Sequence, residues 1–132
     1  MEIGLIGVVV AALASWLLGA AWYMALAKPW IAASGVKVGA DGRPEGGSPL
    51  PFILSAICML LVAGMMRHLL VSAGIDTVGK SLLTGLGIGA FFIAPWVMIN
   101  NAYGMRPFLL TVIDGGYAIA GCGVIGLVLA LF

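Results

Sequence analysis

Four long apolar runs, almost empty of charge, constrain this chain more than any other feature. They cover about residues 3–27, 50–73, 80–103 and 107–132. The first carries no charge, the second only Arg67 beside His68, the third none after Lys80, and the fourth only Asp114. Each is long enough for a helix that crosses a hydrocarbon core of roughly 30 Å, which takes about 20 residues. The runs are continuous rather than alternating, which disfavours membrane strands. Hydrophobic residues make up 63% of the 132 positions and charged ones 8%, against roughly 25% charged in soluble domains. A soluble fold of this size could not bury so much apolar surface. The expectation is an all-α integral membrane bundle of four transmembrane helices, one domain over residues 1–132, with the lipid bilayer as its solvent.

The first run ends in Ala25-Leu26-Ala27, which resembles a signal-peptide cleavage site. Its start, Met1-Glu2-Ile3, has no Lys or Arg, and the apolar stretch exceeds the usual core of about 7–15 residues. It is therefore expected to stay as a helix. A loop over residues 28–49 follows, rich in Gly, Pro, Ser and Asp, which is turn chemistry. Lys28 and Trp30 at its start suit an interface anchor, because Trp favours the headgroup level. The other two connections are short, so consecutive helices should be antiparallel neighbours. Asp76-Thr77 can cap the third helix, and Pro107 suits the first position of the fourth.

With four spans, Lys28, Lys37, Arg43 and Arg106 lie on one face, and Lys80, with Arg67 if it snorkels, on the other. The positive-inside rule then puts the long loop in the cytoplasm and both termini outside, in the inner membrane of a bacterial cell.

Small residues mark where membrane helices approach one another. Ala12, Ser15, Gly19 and Trp22 or Tyr23 share a stripe on the first helix. Gly85, Gly89, Phe92, Trp96, Asn100 and Tyr103 share one on the third. Thr111, Asp114, Ala118, Gly121 and Ile125 share one on the fourth, with Gly116 close by. The second helix offers only Ser55, Cys58 and Val62. Met59, Met65 and Met66 read as core filler or lipid-facing surface.

The most informative residues gather at one end. Trp22 and Tyr23 close the first helix, Asn100, Asn101 and Tyr103 close the third, and Arg106 opens the fourth. Asp114 lies about 12 Å deeper than Arg106 at 1.5 Å per residue. A carboxylate at such depth costs on the order of 3 kcal/mol, so it should face the bundle and find a partner. Asn100, Tyr23, Tyr117 and Arg106 are the candidates. Asp114 is then either a hydrogen-bonding anchor for the fourth helix or an exchanging carboxylate in a small transporter.

Other chemistry has little support. His68 has no second histidine and no haem-attachment motif around it. Cys58 and Cys122 fall at different depths, which argues against a bridge. No Ser-His-Asp or Cys-His set and no metal-ligand cluster is visible. Gly85-Leu86-Gly87-Ile88-Gly89 lacks the preceding strand and the acidic partner of a dinucleotide loop. A net charge of +1 offers no field for nucleic acid. No enzyme activity, metal or cofactor is expected.

The segments LGAAWYMALAKPWIAASG and NNAYGMRPFLLTVIDGGYAIAGCGVIG make the chain similar to a small bacterial membrane family, domain of unknown function 1761. The shared elements fall on Gly19, Trp22, Tyr23, Lys28, Trp30, Asn100 or Asn101, Arg106, Asp114, Gly116 and Tyr117. The glycine-rich stretch near Gly39 to Ser48 departs from the pattern. The resemblance implies four spans over the whole chain and brings no assigned activity. Three roles are compatible with these features. The first is a non-catalytic structural or accessory membrane protein that self-associates as a homo-oligomer or docks onto a larger membrane complex. The second is a small proton-coupled transporter using Asp114. The third is a lipid-binding or lipid-sensing protein.

Overall fold

The computed structural model describes residues 4–132. The described part is helical with no strands. Its helices are α1 (Leu5–Ala25), α2 (Ala27–Ser34), α3 (Leu50–Ser72), α4 (Val78–Tyr103) and α5 (Phe108–Ala130). The four long ones, α1, α3, α4 and α5, are each long and apolar enough to cross a membrane. The chain is a multi-pass membrane bundle.

The loop expected over residues 28–49 begins instead as a helix. Backbone geometry breaks at Leu26 (φ −106°, ψ 19°) and resumes as α2. Pro29 sits in the first turn of α2, where its missing N–H costs no helical bond. Gly35, at φ +73°, ends the helix in the left-handed conformation that glycine adopts freely. Beyond it the chain folds back on itself through one isolated bridge, Val38 to Pro44. The Glu45 N–H donates to the Lys37 carbonyl at 2.7 Å, and the Gly39 N–H to that of Arg43 at 2.8 Å.

The remaining helix ends follow from local chemistry. Thr77 Oγ1 accepts from the Lys80 N–H at 3.2 Å and caps α4. The turn into α5 is a Schellman arrangement: the Arg106 N–H reaches the Asn101 carbonyl at 2.9 Å and that of Met105 the Ala102 carbonyl at 3.1 Å. Met105 takes the left-handed position, at φ 56°.

α5 is the central helix, touching all the others, and its most extensive contact is with α4. Small residues make that seam. Ser81, Gly85 and Gly89, spaced by four, face Gly126, Cys122 and Ala118. A Cβ on Gly85 would run into the Cys122 carbonyl, and one on Gly126 into the Ser81 carbonyl. A Cβ on Gly89 would lie 2.5 Å from the Ala118 oxygen. Ser81 is fully buried there.

α4 contains a π-helical turn, Gly89–Ile93, in which the Ala94 N–H bonds back to the Gly89 carbonyl. Pro95 supplies the cause: it has no N–H, and in a regular helix its ring would press on the carbonyl four residues back. The extra residue in the turn rotates the rest of the helix by about 100°. The stripe expected to run from Gly89 through Phe92, Trp96, Asn100 and Tyr103 is therefore broken. Phe92 and Trp96 are each 66% exposed and Tyr103 is 87% exposed, and Asn100 is exposed too. Ile93, Val97 and Asn101 are the partly buried residues on the inner side instead.

α3 is attached more loosely, to α1 and to a smaller extent to α5. Its buried face is Ala63, Met66 and Leu70; of the residues expected at the contact, Val62 packs against the core and Ser55 meets α1 through Trp16, while Cys58 is exposed. Ser55 and Cys58 are exposed and Val62 only partly covered. The Trp16 indole on α1 meets this end of α3, its Nε1 donating to Ser55 Oγ at 3.0 Å and lying 3.2 Å from the Phe52 carbonyl. Among the methionines, Met66 is buried, Met65 is exposed and Met59 is half-buried. Cys58 and Cys122 are both free, the first exposed and the second buried.

Overpacking a close seam costs about 1–3 kcal/mol. Gly85→Val is therefore expected to destabilise the protein by about that amount in detergent unfolding measurements. Gly87→Ala is the control: its Cβ meets nothing within 4 Å, and the change should be neutral or stabilising by up to about 1 kcal/mol.

Candidate functional site

The polar residues converge where the end of α1, the whole of α2 and the first turns of α5 meet. Small residues make the approach possible. A Cβ on Gly19 would lie 2.6 Å from the Tyr117 hydroxyl, and one on Gly116 2.9 Å from Trp22 Cζ2. A Cβ on Gly121 would meet Ser15 Oγ at 2.9 Å.

Into this space α1 sends a ladder of donors. Ser15 Oγ donates to the Gly121 carbonyl at 3.2 Å. Trp22 Nε1 donates to the Ile113 carbonyl at 3.0 Å. Tyr23 Oη donates to Asp114 Oδ1 at 2.7 Å. α5 answers with Tyr117, whose hydroxyl donates to the Ser15 carbonyl at 2.8 Å and has Met59 Sδ 3.7 Å away. The helical carbonyls can accept because each keeps a second lone pair after its own helical bond. Aromatic edges fill the gaps: the Tyr23 ring stands edge-on to Trp30 at 6.2 Å and to Tyr117 at 5.6 Å.

Asp114 lies six residues into α5, about 9 Å along the helix at 1.5 Å per residue. It is half-buried, and Tyr23 is its hydrogen-bond partner. The other candidates turn elsewhere. The Tyr117 hydroxyl serves Ser15. Asn100 is exposed, whereas Asn101 Nδ2 donates to Thr111 Oγ1 at 3.2 Å and ties α4 to α5. The Arg106 guanidinium donates through Nη1 to the Ser34 carbonyl and so ties the start of α5 to the end of α2. Tyr103 lies outside the cluster. Lys28 is exposed on α2, while Trp30, on the same helix, is half-buried against Tyr23.

Two contributors escape a reading of the sequence. The Ser34 carbonyl belongs to the unsatisfied last turn of a helix, where cationic side chains bind readily, but that helix was expected to be loop. Trp16 lies in a uniformly apolar run, and only the need of an indole N–H in an apolar setting for an acceptor hints at it. Among the described residues no group of three His, Cys, Asp or Glu side chains converges. What the cluster does chemically is join α1, α2 and α5 through directional hydrogen bonds and hold one carboxylate half-buried within an apolar span.

Interhelical hydrogen bonds in membranes average about 0.6 kcal/mol and reach about 1.7. A double-mutant cycle of Tyr23→Phe and Asp114→Asn should return a coupling of about 0.5–1.5 kcal/mol by reversible unfolding in detergent. Tyr103→Phe in the same assay should stay within about 0.5 kcal/mol of the parent.

A family model described as protein of unknown function (DUF1761) matches residues 6–130. No curated protein and no solved structure matches the chain. With nearly its whole length covered by that family model, the chain belongs to the DUF1761 family.

Proposed function

We propose that this protein is a non-catalytic structural or accessory subunit of the bacterial inner membrane that self-associates or docks onto a larger membrane complex. One observation carries the reading: the polar side chains of the cluster are committed to joining helices. Ser15, Trp22, Tyr23 and Tyr117 hold α1 to α5, Asn101 holds α4 to α5, and Arg106 holds α2 to the start of α5. Outward, α3 and α4 present large apolar side chains, among them Leu61 (68% exposed), Leu83 (70%) and Phe91 (79%). These are the faces through which a neighbouring membrane helix would pack. Purification from the source membrane in mild detergent, followed by native mass spectrometry, is expected to give a defined oligomer or a stoichiometric complex. A monomer across several mild detergents, with no cross-linked neighbour in intact membranes, would sink the proposal.

The orientation belongs to the same reading. Lys28, Lys37, Arg43 and Arg106 outnumber Arg67 and Lys80 across the bundle, which favours a cytoplasmic α2 and periplasmic termini. A C-terminal alkaline phosphatase fusion should be active and a C-terminal green fluorescent fusion dark; the opposite pattern reverses the assignment.

A second reading, a proton-coupled transporter working through Asp114, is favoured by the half-exposed state of that carboxylate and by its single neutral partner. In that case Asp114→Asn should abolish a flux driven by a pH gradient in proteoliposomes while leaving the helical signal intact. Unchanged flux in the folded variant would remove this reading.

A further inference from the structure

Asp114 is the one carboxylate of the cluster, and its hydrogen-bonding capacity is not used up among the described residues. Its Oδ1 accepts from Tyr23, and its Oδ2 has no hydrogen-bond partner among the described residues. The cations at this end of the bundle do not reach it: Arg106 is turned to the Ser34 carbonyl and Lys28 is exposed on α2. A carboxylate held in an apolar setting by one neutral donor is an incomplete arrangement, since buried charges are normally paired. Its surroundings also have a definite character. Tyr23 stands between Trp30 and Tyr117, at ring separations of 6.2 and 5.6 Å, and Trp22 closes on the same helix of α5. All four aromatic residues and Asp114 itself are only partly covered, so each keeps some accessible surface. Aromatic faces attract cations within about 6 Å of the ring centre, and most strongly where water is scarce. One carboxylate cannot hold a metal ion without further ligands, and no such group converges here.

We propose that Asp114, beside the aromatic group in which Trp30 and Tyr117 pack on Tyr23, binds the ammonium group of an amine ligand. Oδ2 accepts an N–H from the ammonium, and the neighbouring aromatic rings add the attraction of their π-systems. α2 packs on α1 and α5 just past the end of the α1 span, a level at which both a soluble amine and the headgroup of an amine-bearing lipid are within reach. The site goes beyond the accessory role and does not depend on it: a monomeric protein would bind in the same way.

The test is thermal denaturation of the purified protein in maltoside detergent. It is titrated separately with ethanolamine hydrochloride, short-chain phosphatidylethanolamine, short-chain phosphatidylglycerol, and sodium chloride at matched ionic strength. A saturable rise in Tm is expected with an amine-bearing compound and not with phosphatidylglycerol or sodium chloride. Asp114→Asn should raise the half-saturating concentration about tenfold or more, as for the loss of one charge-assisted hydrogen bond. A response to ethanolamine alone equal to that of the lipid identifies a soluble amine as the source. A response confined to phosphatidylethanolamine identifies the headgroup. No rise with either amine, an equal rise with phosphatidylglycerol, or an unchanged response in Asp114→Asn overturns the proposal. If Asp114→Asn does not fold, Trp30→Leu is measured instead, because the Trp30 side chain holds no helix–helix hydrogen bond among the described residues. A weakened response there supports the site and an unchanged one overturns it.

Discussion

The close approach of α4 to α5 is the contact on which the rest of the bundle depends. In lipid there is no hydrophobic drive to push apolar helices together, so packing and directional bonds must do it. Backbones that nearly touch gain the most dispersion contact per residue. The seam of Ser81, Gly85 and Gly89 against Ala118, Cys122 and Gly126 reaches that limit, since a single added carbon at Gly85 or Gly126 would collide with a backbone carbonyl. α5 is thereby fixed as the axis, and α1 packs on its other side through Ser15 and Gly19.

The two halves of this arrangement hold together by different means. Toward the start of α1 and the ends of α3 and α5, the core is apolar: Val8, Ala11, Met66, Leu70, Ile125 and Leu129. At the other end, the joining forces are the hydrogen bonds of Trp22, Tyr23, Asn101 and Arg106. Apolar contact tolerates small slips between helices, whereas a bond from an indole or a phenol to one particular oxygen does not. The polar half therefore sets the rotation of α5, and with it the direction in which Asp114 points.

Much of this was legible in the chain itself, and the exceptions have identifiable causes. The spans follow from hydropathy because a bilayer demands uninterrupted helices. Thr77 as a cap, the small residues Ser15, Gly19, Gly85, Gly89, Gly116 and Gly121 at helix contacts, and Tyr23 among the candidate partners of Asp114 all follow from local chemistry or spacing. α2 was not legible, because Lys28, Pro29 and Gly35 read as punctuation when only composition is weighed; Pro29 happens to fall where a helix accepts it. The pairing of Arg106 depended on α2 and was lost with it. On α3, spacing points to Ser55 and Cys58; Ser55 meets α1 only through the Trp16 indole and Cys58 is exposed, and which residues α1 reaches is information that no window along α3 contains.

The π turn in α4 has a consequence for how relatives of this chain are to be compared. Membrane spans are usually matched by hydropathy and length, and one residue more or less within Gly89–Ile93 would leave both almost unchanged. It would nevertheless swing everything after it by about 100°, exchanging Asn101, which meets Thr111, for a neighbour that faces lipid. An insertion or deletion at this point is thus equivalent to substituting a whole helix face at once. Relatives with and without Pro95 can share every downstream residue type and still present different surfaces.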